Sequence, residues 1–322
     1  MIRVGVIGTG NIACVHAKQL RKISNIELYA FNINQDHLKR FVEQFDATRC
    51  ETENELLQKS DVIYVCTPTD THYPIASRCL QAGKPVFLEK PIGLNIPEAV
   101  DLLEISNKLN VPIIPGHVVR FFPEYKKAYY QIKEGNLGKI ASARLSRGGR
   151  QPIGSEKWFT DHNRSGGVLL DLAIHDFDWL RWTLGEVESV YSQSVSENTR
   201  KGDYALTILK FKAGAIAHVE SSWLDPGGFR TSFEISGSAG FLEYSSLKNK
   251  NLTIEKQFEV FNEAHLSDFE DPYYLQTKNF LDHIYNGLSS VVSFEDGIKA
   301  MQLSFAAIDS AQKREPIKIG SF

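Results

Sequence analysis

The sequence predicts an α/β chain in two parts: an N-terminal doubly wound parallel sheet, then an α+β domain built on a largely antiparallel sheet. Three observations carry this prediction. Short apolar runs alternate with helical patterns through the first 120 residues, which is the order of βαβα units. From about residue 139 the character changes to β-rich segments separated by tight turns. The length of 322 residues suits two domains better than one core. We therefore place one domain at 1–120 and a second at 121–322.

Residues 2–7 form an almost wholly apolar run, as a strand covered on both faces reads. Gly8, Thr9, Gly10, Asn11, Ile12 and Ala13 follow, then a helical pattern through Val15, Leu20 and Ile23. This is GxGxxA between a strand and a helix. The glycines permit a tight turn and bring a pyrophosphate close to the helix N-terminus, so the segment reads as a dinucleotide site. The alternative is a glycine-rich turn that binds nothing. Further strands are predicted at 26–31, 61–66, 85–88 and 111–114, and helices at 36–45, 70–82 and 97–109. A ligand of such a sheet lies beyond the carboxyl ends of its strands.

Asn32 stands at the end of the second strand, where a carboxylate normally holds the ribose hydroxyls of NAD. Ile33, Asn34 and Gln35 after it supply no arginine for a 2′-phosphate. NAD is therefore preferred, and NADP stays open. Thr67, Pro68 and Thr69 follow a buried strand and should face the cofactor. Glu89, Lys90 and Pro91 follow the next, and a lysine restrained between a carboxylate and a proline suits chemistry as well as a solvated surface.

In the second half, segments 139–146, 187–194, 204–211, 215–222 and 231–236 read as strands. Between them, the stretch from Ser165 to Asp178 sets ionisable groups into an apolar helical pattern. As one helix it would place Asp171 and His175 on a single face, with Asp178 a turn further on. A carboxylate that fixes the tautomer of an imidazole makes an acid/base pair. A satisfied core histidine beside a surface aspartate is the alternative. Arg144, Arg147 and Arg150 read either as an anion trap or as ordinary surface charge. Near the C-terminus, Asp271 with Pro272 and Ser293 with Asp296 mark two helix starts.

These motifs, in this order, resemble the glucose–fructose oxidoreductase / inositol dehydrogenase / rhizopine-catabolism family of nicotinamide oxidoreductases. The resemblance rests on Gly8 to Ala13, Thr67 to His72, Glu89 to Pro91, Gly166 to His175 and Phe294 to Ile298, and so covers nearly the whole chain. It implies a substrate hydroxyl or carbonyl held over a nicotinamide, with His175 as general base, Lys90 polarising the oxygen and Asp171 orienting the pair. Cofactor contacts are expected from Gly8, Gly10, Asn11, Ile12, Asn32, Thr67, Pro68, Thr69, His72, Glu89, Lys90 and His117. The substrate, a sugar, inositol or related polyol, is expected to meet Lys90, Arg120, Trp158, His162, Asp171, His175 and Tyr273. Asp161 and Arg230 are further candidates. The resemblance also implies that the open face of the second sheet packs on another subunit, which predicts a homodimer or homotetramer.

Composition narrows the remaining classes. A net charge of −3 favours neither nucleic acid nor an anionic membrane. No apolar run spans a bilayer, and the N-terminus lacks signal-peptide character. Cys14, Cys50, Cys66 and Cys79 have no CxxC spacing and read as buried thiols in the cytoplasm. Two rival functions remain: a dinucleotide-binding regulator without turnover, and a metal-dependent hydrolase or lyase using Asp171, His175 and Asp178. Nine histidines without HxH or HExxH spacing speak against the second, so no metal site is predicted.

Overall fold

A computed structural model describes residues 1–152, 154–196, 203–247, 252–256, 259–263 and 270–320. The first part is built from β1 (Ile2–Ile7), α1 (Asn11–Leu20), β2 (Ile26–Phe31), α2 (Gln35–Phe45), β3 (Thr48–Arg49), α3 (Glu53–Lys59), β4 (Val62–Val65), α4 (His72–Gln81), β5 (Val86–Leu88), α5 (Ile96–Leu109) and β6 (Ile113–Pro115). All its strand pairs are parallel, in the order β3-β2-β1-β4-β5-β6. The order reverses at β1/β4, so the carboxyl ends of those strands open a crevice. β4 and β5 are buried along their whole length because helices cover both faces. Local chemistry starts the helices: Asn34, Thr52 and Asn95 accept from His37 N, Glu55 N and Glu98 N. Sequence reading missed β3, of two residues, and α3, whose seven residues are too few for a clear period.

The second part contains α6 (Pro123–Lys133), β7 (Ile140–Gly148), α7 (His162–Ser165), α8 (Gly167–Asp171), α9 (Ile174–Leu184), β8 (Val187–Ser196), β9 (Asp203–Phe211), β10 (Ile216–Ser222), β11 (Arg230–Gly237), β12 (Gly240–Ser245), β13 (Leu252–Lys256), β14 (Glu259–Glu263), α10 (Pro272–Asn286), α11 (Phe294–Lys313) and β15 (Ile317–Lys318). Its sheet runs β14-β13-β12-β11-β7-β10-β9-β8-β15. Every pairing is antiparallel except β7 with β10, which makes the sheet mixed. β9 alternates buried and accessible residues along its length: one face packs on helices and the other is uncovered. Trp179, Phe177, Phe211, Phe233 and Tyr125 fill the covered side.

The last two helices return to the first part. Phe280 and Leu281 of α10 enter the core on one side of the parallel sheet, and Phe294, Ile298 and Met301 of α11 the other. Both helices start as predicted. Asp271 accepts from Tyr273 N, and Ser293 with Asp296 forms a reciprocal capping box. α11 also gives Leu303 and Ala307 to the core under the mixed sheet, so its apolar burial fastens the two sheets to each other.

The expected single helix through 165–178 is two helices. Leu172 N and Ala173 N both donate to Val168 O, at 3.0 and 2.9 Å, and His175 N donates to Leu172 O at 3.3 Å. No glycine or proline marks this break. The two segments answer to different partners, described next, and those tertiary pairings override helix propensity.

Candidate active site

At the crevice, Gly8 has φ +85, and a Cβ there would lie 2.7 Å from Thr67 Cγ2 and 2.8 Å from Cys66 O. Only glycine fits the turn. Gly10 differs: nothing lies within 4 Å of where its Cβ would be, in front of the first turn of α1. That open space beside unpaired helix N–H groups suits a pyrophosphate, so these residues fit a dinucleotide. Asn11 is exposed and Ile12 half-buried at the same turn. Asn32 Nδ2 donates to Thr9 Oγ1 at 2.7 Å, and Asn32 Oδ1 accepts from Asn34 N at 3.1 Å. Its amide thereby holds the glycine turn against the end of β2.

Behind this turn lies a pair that sequence reading did not foresee. His16 of α1, fully buried, has its Nε2 2.6 Å from Glu89 Oε1. Glu89 Oε2 accepts from Lys90 N at 3.1 Å. Burial raises the Glu89 pKa, but the His16 hydrogen bond and charge, followed by Lys90, outweigh it and keep the carboxyl below its usual range. Glu89 therefore supports the lysine loop from inside. The peptide bond Lys90-Pro91 is cis.

Lys90 Nζ donates to Asp171 O at 2.8 Å and to Asp171 Oδ1 at 2.9 Å. These bonds join the loop after β5 to the end of α8. His175, the second residue of α9, makes no hydrogen bond to Asp171; its Nδ1 is buried without a partner while the residue keeps part of its surface. That leaves Nε2 as the nitrogen able to face a ligand. Burial, then the charges of Lys90, Arg147 and His117, hold the His175 pKa well below the ordinary histidine value. Lys90 and His175 are therefore electrostatic neighbours, and the ring is neutral near pH 7. The expectation that Asp171 orients the imidazole is corrected: the break at Leu172 and Ala173 turns its carboxylate to Lys90 instead.

Flanking carboxylates of α9 are committed elsewhere. Asp176 accepts from Arg147 Nε and Nη2 at 2.9 and 2.7 Å, both residues being buried. Asp178 accepts from Arg120 Nε and Nη2 at 2.9 and 2.6 Å. Arg120 also donates to Val291 O and Asp296 Oδ2, at 3.0 and 2.9 Å. It is 1% exposed, so its expected substrate contact gives way to a structural one. The anion-trap reading falls for the same reason. Arg147 faces the core, Arg144 pairs with Glu234 on the outer face at 3.0 Å, and Arg150 donates to Pro226 O. Alternation along β7 separates Arg144 from Arg147.

His117 is buried with neither ring nitrogen partnered, and its Nδ1 lies 3.9 Å from Asp178 Oδ2. Burial lowers its pKa, which Asp178 partly offsets. His72, expected to touch cofactor, is buried instead, with its ring nitrogens against Pro91 O and Thr67 O. Thr67 Oγ1 accepts from Thr71 Oγ1 at 2.8 Å, Thr69 is buried, and Pro68 precedes the short 3-10 turn Thr69–Thr71. Tyr273 sits edge-on to His16, 5.7 Å between ring centres, and burial and then Glu89 raise its pKa.

Four other candidates, Trp158, His162, Asp161 and Arg230, are engaged with partners other than Lys90. Trp158 stacks on Phe159 at 3.8 Å, in the 3-10 stretch before α7. His162 pairs with Asp203 at 2.8 Å on the wall of a separate cavity of about 460 Å³, shared with Leu94, Tyr204 and Phe305. Asp161 caps α7 by accepting from Asn163 N, and Arg230 pairs with Asp225 at 2.7 Å. Asp178, the third residue of the metal reading, is spent on Arg120. Among the described residues no group of three or more His, Cys, Asp and Glu is placed to hold a metal.

Comparison with known proteins places both parts of the chain in one family. The family model described as "Oxidoreductase family, NAD-binding Rossmann fold" matches residues 2–117, and "GFO/IDH/MocA C-terminal domain" matches 125–243. Myo-inositol 2-dehydrogenase of Thermotoga maritima is 30% identical, over 99% of this chain and 98% of its own. The scyllo-inositol 2-dehydrogenase (NAD(+)) of Bacillus subtilis is 28% identical, over 99% and 96%. The crystal structure of a probable dehydrogenase from Thermotoga maritima superposes with a TM-score of 0.85 at 27% identity, over 98% of each chain.

Proposed function

The chain belongs to the glucose–fructose oxidoreductase / inositol dehydrogenase / rhizopine-catabolism (GFO/IDH/MocA) family of NAD-binding oxidoreductases, and we propose that it transfers a hydride between NAD and a secondary hydroxyl, or its ketone, of an inositol, sugar or related polyol. The observation that carries the reading is the pairing of Lys90, from the nucleotide-binding half, with Asp171 of the second half, beside a His175 close enough for the lysine's charge to depress its pKa. Small-molecule sites commonly lie at such seams.

Gly8, Gly10, Asn11, Ile12 and Asn32 would hold the dinucleotide, with the turn from Thr67 to Thr69 beside it. When bound, NAD supplies the hydride acceptor. Lys90 uses two of its three N–H donors on Asp171, and the third remains for a substrate oxygen. An ammonium on that oxygen favours the developing alkoxide over the hydroxyl. His175 Nε2 takes the hydroxyl proton, which a neutral imidazole can do and an imidazolium cannot. In the reverse direction the imidazolium, disfavoured by burial and by Lys90, is a strong acid towards the same oxygen. We assign His117, whose buried ring nitrogens have no hydrogen-bond partner among the described residues, to the nicotinamide carboxamide.

The test is absorbance of NADH while the chain is offered NAD and a panel of inositols and aldoses. Turnover on at least one cyclic polyol supports the reading. Tight NAD binding with no turnover across the panel overturns it in favour of a regulator.

The same reading makes the chain a homodimer or homotetramer. Leu206 and Ile216 stand exposed on the uncovered face of the mixed sheet, among Arg144, His218 and Glu234. A monomer mass by light scattering would contradict it. The four free thiols, three of them buried, suit the cytoplasm.

A further inference from the structure

His72 is a buried histidine that the mechanism leaves idle. It opens α4 and is 1% exposed. Its Nδ1 lies 2.7 Å from Pro91 O, and its Nε2 lies 2.8 Å from Thr67 O. Both facing atoms are main-chain carbonyl oxygens, which accept and never donate. A neutral imidazole has one N–H, so one of these carbonyls would meet a lone pair; an imidazolium serves both. The carbonyls belong to different loops. Thr67 is in the turn after β4, and Pro91 follows Lys90 in the loop after β5.

We infer that His72 is a positioning residue: by donating from both ring nitrogens it ties the turn facing the dinucleotide to the loop carrying Lys90, and one proton closes or opens one arm of that tie. The significance of the two loops rests on the function proposed above, whereas the tie belongs to the unliganded chain. Glu89 and Lys90 are the charged groups acting on the ring, the first favouring the imidazolium and the second opposing it. Burial is the largest influence and sets the ring below the ordinary histidine range, against the pull of the two carbonyls and Glu89. The two-armed form is therefore the acid form. As pH rises, one carbonyl loses its donor and one loop loosens.

The experiment is nitrogen-15 NMR of the histidine rings in the full chain without cofactor, from about pH 5 to about pH 8. The His72 ring should show two N–H groups at the acid end and one fixed tautomer at the basic end. The backbone amides of Cys66, Thr71, Glu89 and Ile92 should shift with the same midpoint. A ring that titrates while those amides stay still, or that exchanges freely between tautomers when neutral, overturns the inference. His72→Gln provides a second readout, because both of its N–H groups sit on one nitrogen and reach one loop. Calorimetry at the acid end should show NAD binding weakened about tenfold, the scale of one buried acceptor left unsatisfied, with the difference from wild type shrinking as the pH rises. Unchanged affinity with an unchanged pH dependence would overturn the tie. Absence of polyol turnover would leave the ring titration to decide on its own.

Discussion

The ammonium of Lys90 is held by Asp171 twice, through the main-chain oxygen at 2.8 Å and the carboxylate at 2.9 Å. Because one bond is to the backbone, Asp171→Ala keeps half of the grip. Turnover should fall about tenfold, the worth of one charge-assisted hydrogen bond. The carboxylate does not touch His175, so the acid limb of the pH profile of kcat/KM should stay in place. A shift of that limb would restore the Asp171–His175 couple that the sequence suggested.

The buried histidines set the pH dependence of stability. His72, His117 and His175 all have pKa values below the ordinary 6.5. In that window the unfolded chain binds protons that the native chain refuses, so stability rises with pH. It should be fully present above about pH 6.5 and decline as the pH falls towards the native values. Urea midpoints measured across this range should fall with acidification; a flat profile would contradict the burial of these rings.

Gly8 and Gly10 should separate folding from binding. Gly8→Ala meets Thr67 and Cys66 at a positive φ and should lower both stability and NAD affinity. Gly10→Ala meets nothing in the free chain, so its melting temperature should hold while NAD affinity drops. Thermal melts with and without NAD check both. Equal loss of apo stability in the two variants would contradict the cradle.

Arg120 and Arg147 are pillars of α9. Arg120→Met leaves Asp178 buried without its fork, and Arg147→Met does the same to Asp176. Each should cost about 3–5 kcal/mol in denaturant unfolding. A raised KM with normal stability would return these arginines to the substrate.

Local signals were legible in the sequence and distant ones were not. The GxGxxA turn, the caps at Asp271 and Ser293 and the alternation of β9 each arise from neighbouring residues, and each was found. The break between α8 and α9 carries no such mark. It follows from Lys90 pulling on Asp171 while Arg147 and Arg120 fix Asp176 and Asp178. Likewise His16 meets Glu89 across 73 positions, a pairing that only the parallel sheet creates. The chain past the turn at Ser238 and Ala239 was not read as strand, yet β12 pairs there with β11 because the mixed sheet supplies an edge.

The central proposition is that Lys90 and His175 act on one oxygen atom, and a double-mutant cycle tests it directly. NADH formation would be compared for Lys90→Met, His175→Asn and the double variant on a polyol the wild type oxidises. Each single change should lower kcat by roughly 10²- to 10³-fold. The double variant should fall little further than the worse single one, because groups acting as a unit are not additive. Losses that multiply, or a His175→Asn enzyme as fast as wild type, would contradict it.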